Sequence, residues 1–316
     1  MSIPSDDTQN SVYQMINKIR EHIRSTLYSG NFDYVSSINA LNRHLKLAIE
    51  VKHWLLAGQI EEMIGTIGLE RGEFAEAERH YQHSLQYFEM LEDTRRITVM
   101  LGNLGEVYRR WNKAEIAADC FQRARNISER EGFKPQEAIS YNNEGLLWLA
   151  ENATERAIPL LEKALSLSDG LAWDTLQVLL PETYAGLATA YLHIEDFEQA
   201  WMYANRALQL SLEVARVQHI AAAYQIMAQI AIADLDSESS PAELFAQSRD
   251  YWQRAQDKVS LANMLMIEGE YWNALQDLDK ALGCFDEAAR YYDEVMMIKK
   301  ADAARKTIDS LRYDVN

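Results

Sequence analysis

Gly65, Gly105 and Gly145 stand 40 residues apart, and Ala77, Ala117 and Ala157 repeat the same interval. Tyr81, Phe121 and Leu161 follow each alanine by four. A small residue, a second small residue and a bulky one recurring in fixed phase mark a repeat array. Each unit of such an array packs only on its neighbours, so no single core has to grow with the chain. The size limit that 316 residues would meet in one globular domain is thereby lifted. Arrays of this kind hold other molecules by the shape of a stacked surface.

Composition narrows the class. Hydrophobic residues make up 48% and charged residues 25%, which is ordinary for a folded chain. Only 13 glycines and 5 prolines occur, too few for a many-turned β architecture, so an all-α fold is expected. The net charge of −17 opposes direct nucleic-acid binding, which needs a basic face to release counterions. Lys18, Arg20 and Arg24 form a short basic stretch and read as a solvated face. An acidic surface of this kind favours partners that carry positive charge. Residues 1–10 are polar and acidic, unlike a signal peptide, and no run of eighteen apolar residues appears. A cytoplasmic protein without membrane contact is expected.

The second repeat is the clearest: Leu101, Leu104-Gly105 and Tyr108, then Ala117 and Phe121. It resembles the tetratricopeptide pattern of a bulky residue, Leu-Gly and Tyr at fixed spacing, followed by Ala-x3-Phe. The first repeat has Ile64-Gly65, Gly72, Phe74 and Ala77-x3-Tyr81; the third has Tyr141, Gly145, Trp148 and Ala157-x3-Leu161. A fourth offers Tyr184, Leu187-Ala188, Tyr191, Phe197 and Ala200, with Ala204 in the aromatic place. The fifth has Tyr224, Met227-Ala228 and Ser248-x3-Trp252, and the sixth Leu265, Gly269, Trp272 and Ala281-x3-Phe285. The 40-residue step resembles the long tetratricopeptide units of kinesin light chain, spindle-orientation adaptors and bacterial peptide-pheromone receptors.

The resemblance covers residues 53–300 and implies a right-handed α-solenoid of about seven helix pairs with a C-terminal capping helix. Residues 1–10 are expected to be a flexible N-terminus, and 11–52 a degenerate capping pair broken at Ser29-Gly30-Asn31, with Phe32 and Val35 placed like Phe74 and Ala77. Residues 301–316 read as a closing helix and tail, with Ala303, Ile308 and Leu311 on the apolar side. An insertion at 234–240 ends in Ser240-Pro241-Ala242-Glu243, where Ser can cap a helix, Pro suits its first position and Glu can complete a capping box. Pro159 falls inside a predicted helix and should remove one backbone bond there.

No enzyme is expected. A Gly-x4-Gly-Lys-Ser/Thr loop, a hydrolase elbow and a His-Glu-x2-His are all missing, and Gly102-x2-Gly105 lies in a helical pattern. His80 and His83 stand with Glu76 at helical spacing, and the set reads as surface side chains, so no metal and no cofactor is expected. Cys120 and Cys284 each precede the bulky residue of the Ala-x3-Phe motif, where packing is the expected role. Being in distant repeats of an extended array, they are expected to stay reduced and unpaired.

Binding residues are sought on the first helix of each pair, one turn from the packing positions. These are Gln59, Glu62, Met63 and Thr66 in the first unit, and Asn103, Glu106, Arg109 and Arg110 in the second. The third offers Asn142, Asn143 and Leu146, the fourth Thr189 and His193, the fifth Gln225 and Gln229. Asn-Leu-Gly at Asn103 and Asn-Asn-x-Gly at Asn142 and Asn143 look like the runs with which kinesin light chain and related adaptors hold an extended peptide backbone, which is what the resemblance implies for them here. Leu104 gives way to Glu144 in the third unit. The function expected is a scaffold or adaptor that grips a peptide or protein segment in a concave groove, with an acidic group near Arg109 and Arg110. The alternative is a ligand- or peptide-responsive regulatory sensor acting on a separate effector.

Overall fold

The structure is a computed structural model that describes residues 34–314. Those residues form fourteen α-helices and no strand. In chain order they are α1 (Tyr34–Glu50), α2 (Trp54–Glu70), α3 (Phe74–Met90), α4 (Thr94–Arg110), α5 (Ala114–Glu131), α6 (Lys134–Ala150) and α7 (Thr154–Ser166). There follow α8 (Trp173–His193), α9 (Phe197–Glu213), α10 (Val217–Ala233), α11 (Pro241–Ala255), α12 (Lys258–Ala274), α13 (Leu278–Glu294) and α14 (Ile298–Asp314).

The 40-residue period has a local cause. Most helices run 17 residues and are joined by three-residue turns, as at Leu91–Asp93 between α3 and α4, so one helix and one turn fill half the period. One residue of each turn is left-handed, the middle one of a three-residue turn or the first of a two-residue turn: Lys52, Gly72, Glu92, Asn112, Gly132 and Asn152 recur every twenty residues. Glu195 and Ala215, and then Gln256, Gln276 and Met296, do the same further on. At each turn the left-handed residue and its successor bond back to the preceding helix, as Glu92 N–H does to the Glu89 carbonyl (3.1 Å) and Asp93 N–H to that of Phe88 (3.0 Å). That is the Schellman arrangement, which satisfies helix-end carbonyls. The successor also caps the next helix: Asp93, Asp196, Asp257 and Asp277 each accept the backbone N–H three residues on.

Packing within each pair follows the repeat residues. A Cβ at Gly65 would lie 2.9 Å from the Tyr81 ring, at Gly145 2.7 Å from Leu161 and at Gly269 2.6 Å from Phe285. At Gly105 it would collide with Phe121, whose side chain is fully buried. The missing side chain is what lets the two helices of a pair approach.

The described residues divide into two compact units that meet between Leu171 and Ala172 in the sequence. In the first, α1 to α7 pack in sequence, and α4 also touches α6 directly. Its core holds Leu41, Ile60 and Ile67 in one cluster, and Tyr81, Phe88, Met100, Phe121 and Leu147 in the next. In the second, α8 to α14 pack in sequence, α8 also touches α10, and Phe245, Trp252, Leu261 and Met264 lead the core. Each unit thus has one place where the first helices of two successive pairs meet, α4 with α6 and α8 with α10.

Several expectations at the ends are corrected. Val35, placed like Ala77 by the sequence, is 66% exposed, and α1 buries Leu41 and Ala48 instead. The remaining N-terminal expectations, from residues 1–10 to the break at 29–31 and Phe32, lie outside the described residues. In α14 the buried line is Ala301, Ala304 and Ile308, while Ala303 faces solvent. Ser240 does cap α11, accepting the Glu243 N–H at 3.4 Å, with Pro241 at the first helical position. Pro159 is tolerated inside α7 on its exposed side. No helix among the described residues is long and apolar enough to cross a membrane.

Candidate functional site

The sequence-selected residues fall in both units. Glu62, Thr66, Asn103, Glu106, Arg109, Arg110, Asn142, Asn143 and Leu146 belong to the first; Thr189, His193, Gln225 and Gln229 belong to the second. Asn103 on α4 and Asn143 on α6 are half-buried and lie on helices that touch each other. Among the described residues, none bonds the Asn103 side chain, while Asn143 Oδ1 accepts from Asn142 Nδ2 at 3.3 Å. Gln225 and Gln229 lie half-buried on one face of α10, four residues apart, and Leu146 is half-buried on α6.

Other members are already engaged. Asn142 is 1% exposed and therefore a packing residue. Gln59 and Met63 are buried as well, at 3% and 6% exposure, because α1 and α3 cover the side of α2 that carries them. Arg109 donates Nε and Nη2 to Glu106 at 2.7 and 2.6 Å, a two-point pair on one helix that neutralises both. The Thr66 hydroxyl donates to the Glu62 carbonyl at 2.9 Å and lies 3.0 Å from the Tyr81 hydroxyl, and that of Thr189 donates to Ala185 at 3.0 Å. Arg110 and His193 are exposed at the ends of α4 and α8.

Two polar clusters escaped the sequence reading, and a third was read with a different carboxylate. Arg125 of α5 pairs with Glu144 of α6, and its guanidinium lies 4.8 Å from the centre of the Tyr141 ring. In the second unit Arg249 of α11 donates to Glu268 of α12 at 2.8 Å and to Glu287 of α13 at 3.1 Å. Trp272 Nε1 donates to the same Glu268 at 3.3 Å, and Cys284 Sγ lies 3.8 Å from Arg249, in a cleft of about 540 Å³. Both cysteines are free and buried, and burial is the leading cause that pushes each thiol up to about 11.

The third cluster involves the histidines. His80 is 8% exposed, so the sequence reading of it as a surface residue is corrected. Its partner is Glu61 of α2, 4% exposed, rather than Glu76: His80 Nδ1 lies 2.5 Å from Glu61 Oε2. His83 Nδ1 lies 3.3 Å from the other oxygen, Glu61 Oε1. The three side chains are the set, among the described residues, whose ligand atoms lie close enough to hold one metal ion. The spacing of His80 and His83 on one helix face was visible in the sequence, whereas Glu61 enters only because α2 packs on α3.

Residues 96–169 match the sequence model of the tetratricopeptide repeat. No curated protein matches the chain by sequence at a significant level. Among solved structures the fold is similar to that of apo RapI, at 14% identity and a TM-score of 0.70, over 94% of this chain and 99% of that one. It is similar to the Rap conjugation gene regulator of plasmid pLS20 in complex with the Phr* peptide, at 13% identity and a TM-score of 0.66, over 88% and 73%. Aspartyl phosphate phosphatase F from Bacillus subtilis is similar as well, at 17% identity and a TM-score of 0.57, over 99% and 96%. The stretch from α4 to α7 thus carries a tetratricopeptide-repeat match, and the same glycine–bulky packing recurs outside it, at Gly65 with Tyr81 and at Gly269 with Phe285.

Proposed function

We propose that this chain is a non-enzymatic protein-interaction scaffold that holds a peptide or protein segment against the first-helix face of its pairs. The observation that carries the reading is the pair of half-buried asparagines, Asn103 and Asn143, on the touching helices α4 and α6. An amide side chain offers both a donor and an acceptor, which suits a peptide backbone whatever its sequence. A partner's acidic group is placed at this end of α4, beside the Arg109–Glu106 pair and the exposed Arg110. Glu62, Thr66 and Glu106 border that face in the first unit, with Asn142 buried beside Asn143; Thr189, His193, Gln225 and Gln229 mark the corresponding helices of the second. No cofactor takes part in this reading.

A second reading is favoured by a specific likeness. The pLS20 protein of the same fold is named a regulator and was solved with a peptide. By that reading the chain is a peptide-responsive sensor acting on a separate effector. Another protein of this fold is named a phosphatase, so release of phosphate from an acyl-phosphate substrate is the control that would overturn the non-enzymatic part.

The experiment is a selection of peptides from a random display library on the purified chain, followed by titration. Asn103→Ala with Asn143→Ala should weaken the selected peptide by about 1–3 kcal/mol, roughly 5- to 150-fold, with helicity unchanged. Arg110→Glu should harm binding more at low salt than at high salt. Full affinity in the double asparagine variant would move the site off α4 and α6. A size change on peptide addition, measured by small-angle scattering, separates a sensor from a passive adaptor.

A further inference from the structure

We infer that Glu61, His80 and His83 form a binding site for one divalent transition-metal ion of the zinc class, joining α2 to α3. The carboxylate of Glu61 is buried, and the partners the structure gives it are two imidazoles, each presenting Nδ1 to a different oxygen. All three ligand atoms lie within 4.8 Å of one another, with the two nitrogen–oxygen separations at 2.5 and 3.3 Å. Zinc bonds of about 2.0–2.2 Å place ligands about 3.3 Å apart in a tetrahedron, so small side-chain shifts are enough to admit the ion. Two imidazoles and one carboxylate are a donor set of intermediate softness that favours zinc, nickel, copper or cobalt over magnesium or calcium.

A second, independent observation is the opening beside these ligands. A cleft of about 360 Å³ is lined by Glu61, His80 and His83 together with Glu73, Glu76 and Arg79. Glu73 is paired with Arg71 and Glu76 with Arg79, so the carboxylate a cation would meet there is Glu61, and the cleft leaves room for water at the fourth position.

The proton balance is explicit. Arg79 Nη2 lies 3.0 Å from His80 Nε2, and because a guanidinium only donates, Nε2 accepts and Nδ1 holds the proton shared with Glu61. The metal takes the place of that proton on Nδ1. The displaced proton moves to Nε2, so the ring stays neutral, and Glu76 Oε2, now 3.9 Å away, is positioned to accept that N–H; His83 binds through Nδ1 as the tautomer protonated at Nε2. Arg79 gives up the ring and keeps Glu76, to which its Nε already donates at 3.2 Å.

The test uses the full chain freed of any histidine tag and stripped with a chelator. Titration with Zn²⁺ by calorimetry and with Co²⁺ by visible absorption should show one equivalent bound, with the d–d bands of a low-coordinate nitrogen–oxygen site. His83→Ala, at a half-exposed position, and Glu61→Gln should each weaken the metal by at least about tenfold, while His219→Ala in the second unit should not. Melting curves of the metal-free variants separate loss of ligand from loss of fold. Absence of stoichiometric binding in the unmodified chain would overturn the site, and so would unchanged affinity in folded His83→Ala.

Discussion

Arg125 on α5 reaches Glu144 on α6, nineteen residues away, and the pair sits with only 15% and 12% of its side chains exposed. Glu144 is the residue just before the repeat glycine, where the preceding repeat has Leu104. The same relationship recurs in the second unit, where Arg249 meets Glu268 at 2.8 Å, again nineteen apart and again just before a repeat glycine, Gly269. A glutamate can replace a core leucine there because an arginine on the preceding helix neutralises it.

Removing one partner should therefore cost far more than removing both. Arg125→Met leaves Glu144 buried and unpaired, and should lower stability by about 3 kcal/mol. Adding Glu144→Leu, which restores the residue type of the second repeat, should recover most of that loss. Urea unfolding of the two single variants and the double variant reads the coupling; additive losses would show that the pair is not coupled.

Two glycines three residues apart on α4 should respond in opposite directions. A Cβ at Gly105 runs into the buried Phe121 ring, whereas one at Gly102 meets nothing within 4 Å. Gly105→Ala should destabilise by about 1–3 kcal/mol through overpacking. Gly102→Ala should stabilise by up to about 1 kcal/mol through helix propensity. Thermal melts of both variants check the signs.

Turn positions offer a third test. Ala215 holds φ at +54° in the turn from α9 to α10, where a Cβ is strained and glycine is not. Ala215→Gly should stabilise by about 0.5–1 kcal/mol, and Gly132→Ala, at φ +72°, should destabilise by about 1 kcal/mol. Equal melting temperatures in both variants would show that the turns relax away from this geometry.

The thiols supply a pH dependence. Burial pushes Cys120 and Cys284 up to about 11 from an ordinary value of 9.0. At pH 8 the folded chain should then hold about a hundredfold less thiolate than the unfolded chain, and react correspondingly slowly with a disulfide reagent. Unfolded chains release these protons first, so the stability the thiols contribute is present below pH 9 and is lost as pH rises from 9.0 to about 11. Equal labelling rates in native and denaturing buffer would contradict this.

The period, the helical class and the close-packed glycines were legible in the sequence because they are local. A 17-residue helix, a Schellman turn and an aspartate cap follow from residues within one turn of each other, and the 40-residue interval repeats them twice. Partner choice was not legible. Glu76 is the carboxylate one helical turn from His80, yet Glu61 is the one at 2.5 Å; Arg109, expected to await an incoming carboxylate, is held by Glu106; and Asn142, one residue from Asn143, is buried. Periodicity says that two helices pack but not which polar atoms meet across them, since the apolar stripe fixes which face is buried and leaves the pairing of polar side chains along its edges to the docking of the neighbouring helices. The sequence thus determined the repeating helix pair through local caps and small residues. Only the tertiary structure decided which charges are paired, because those pairs form through space between helices.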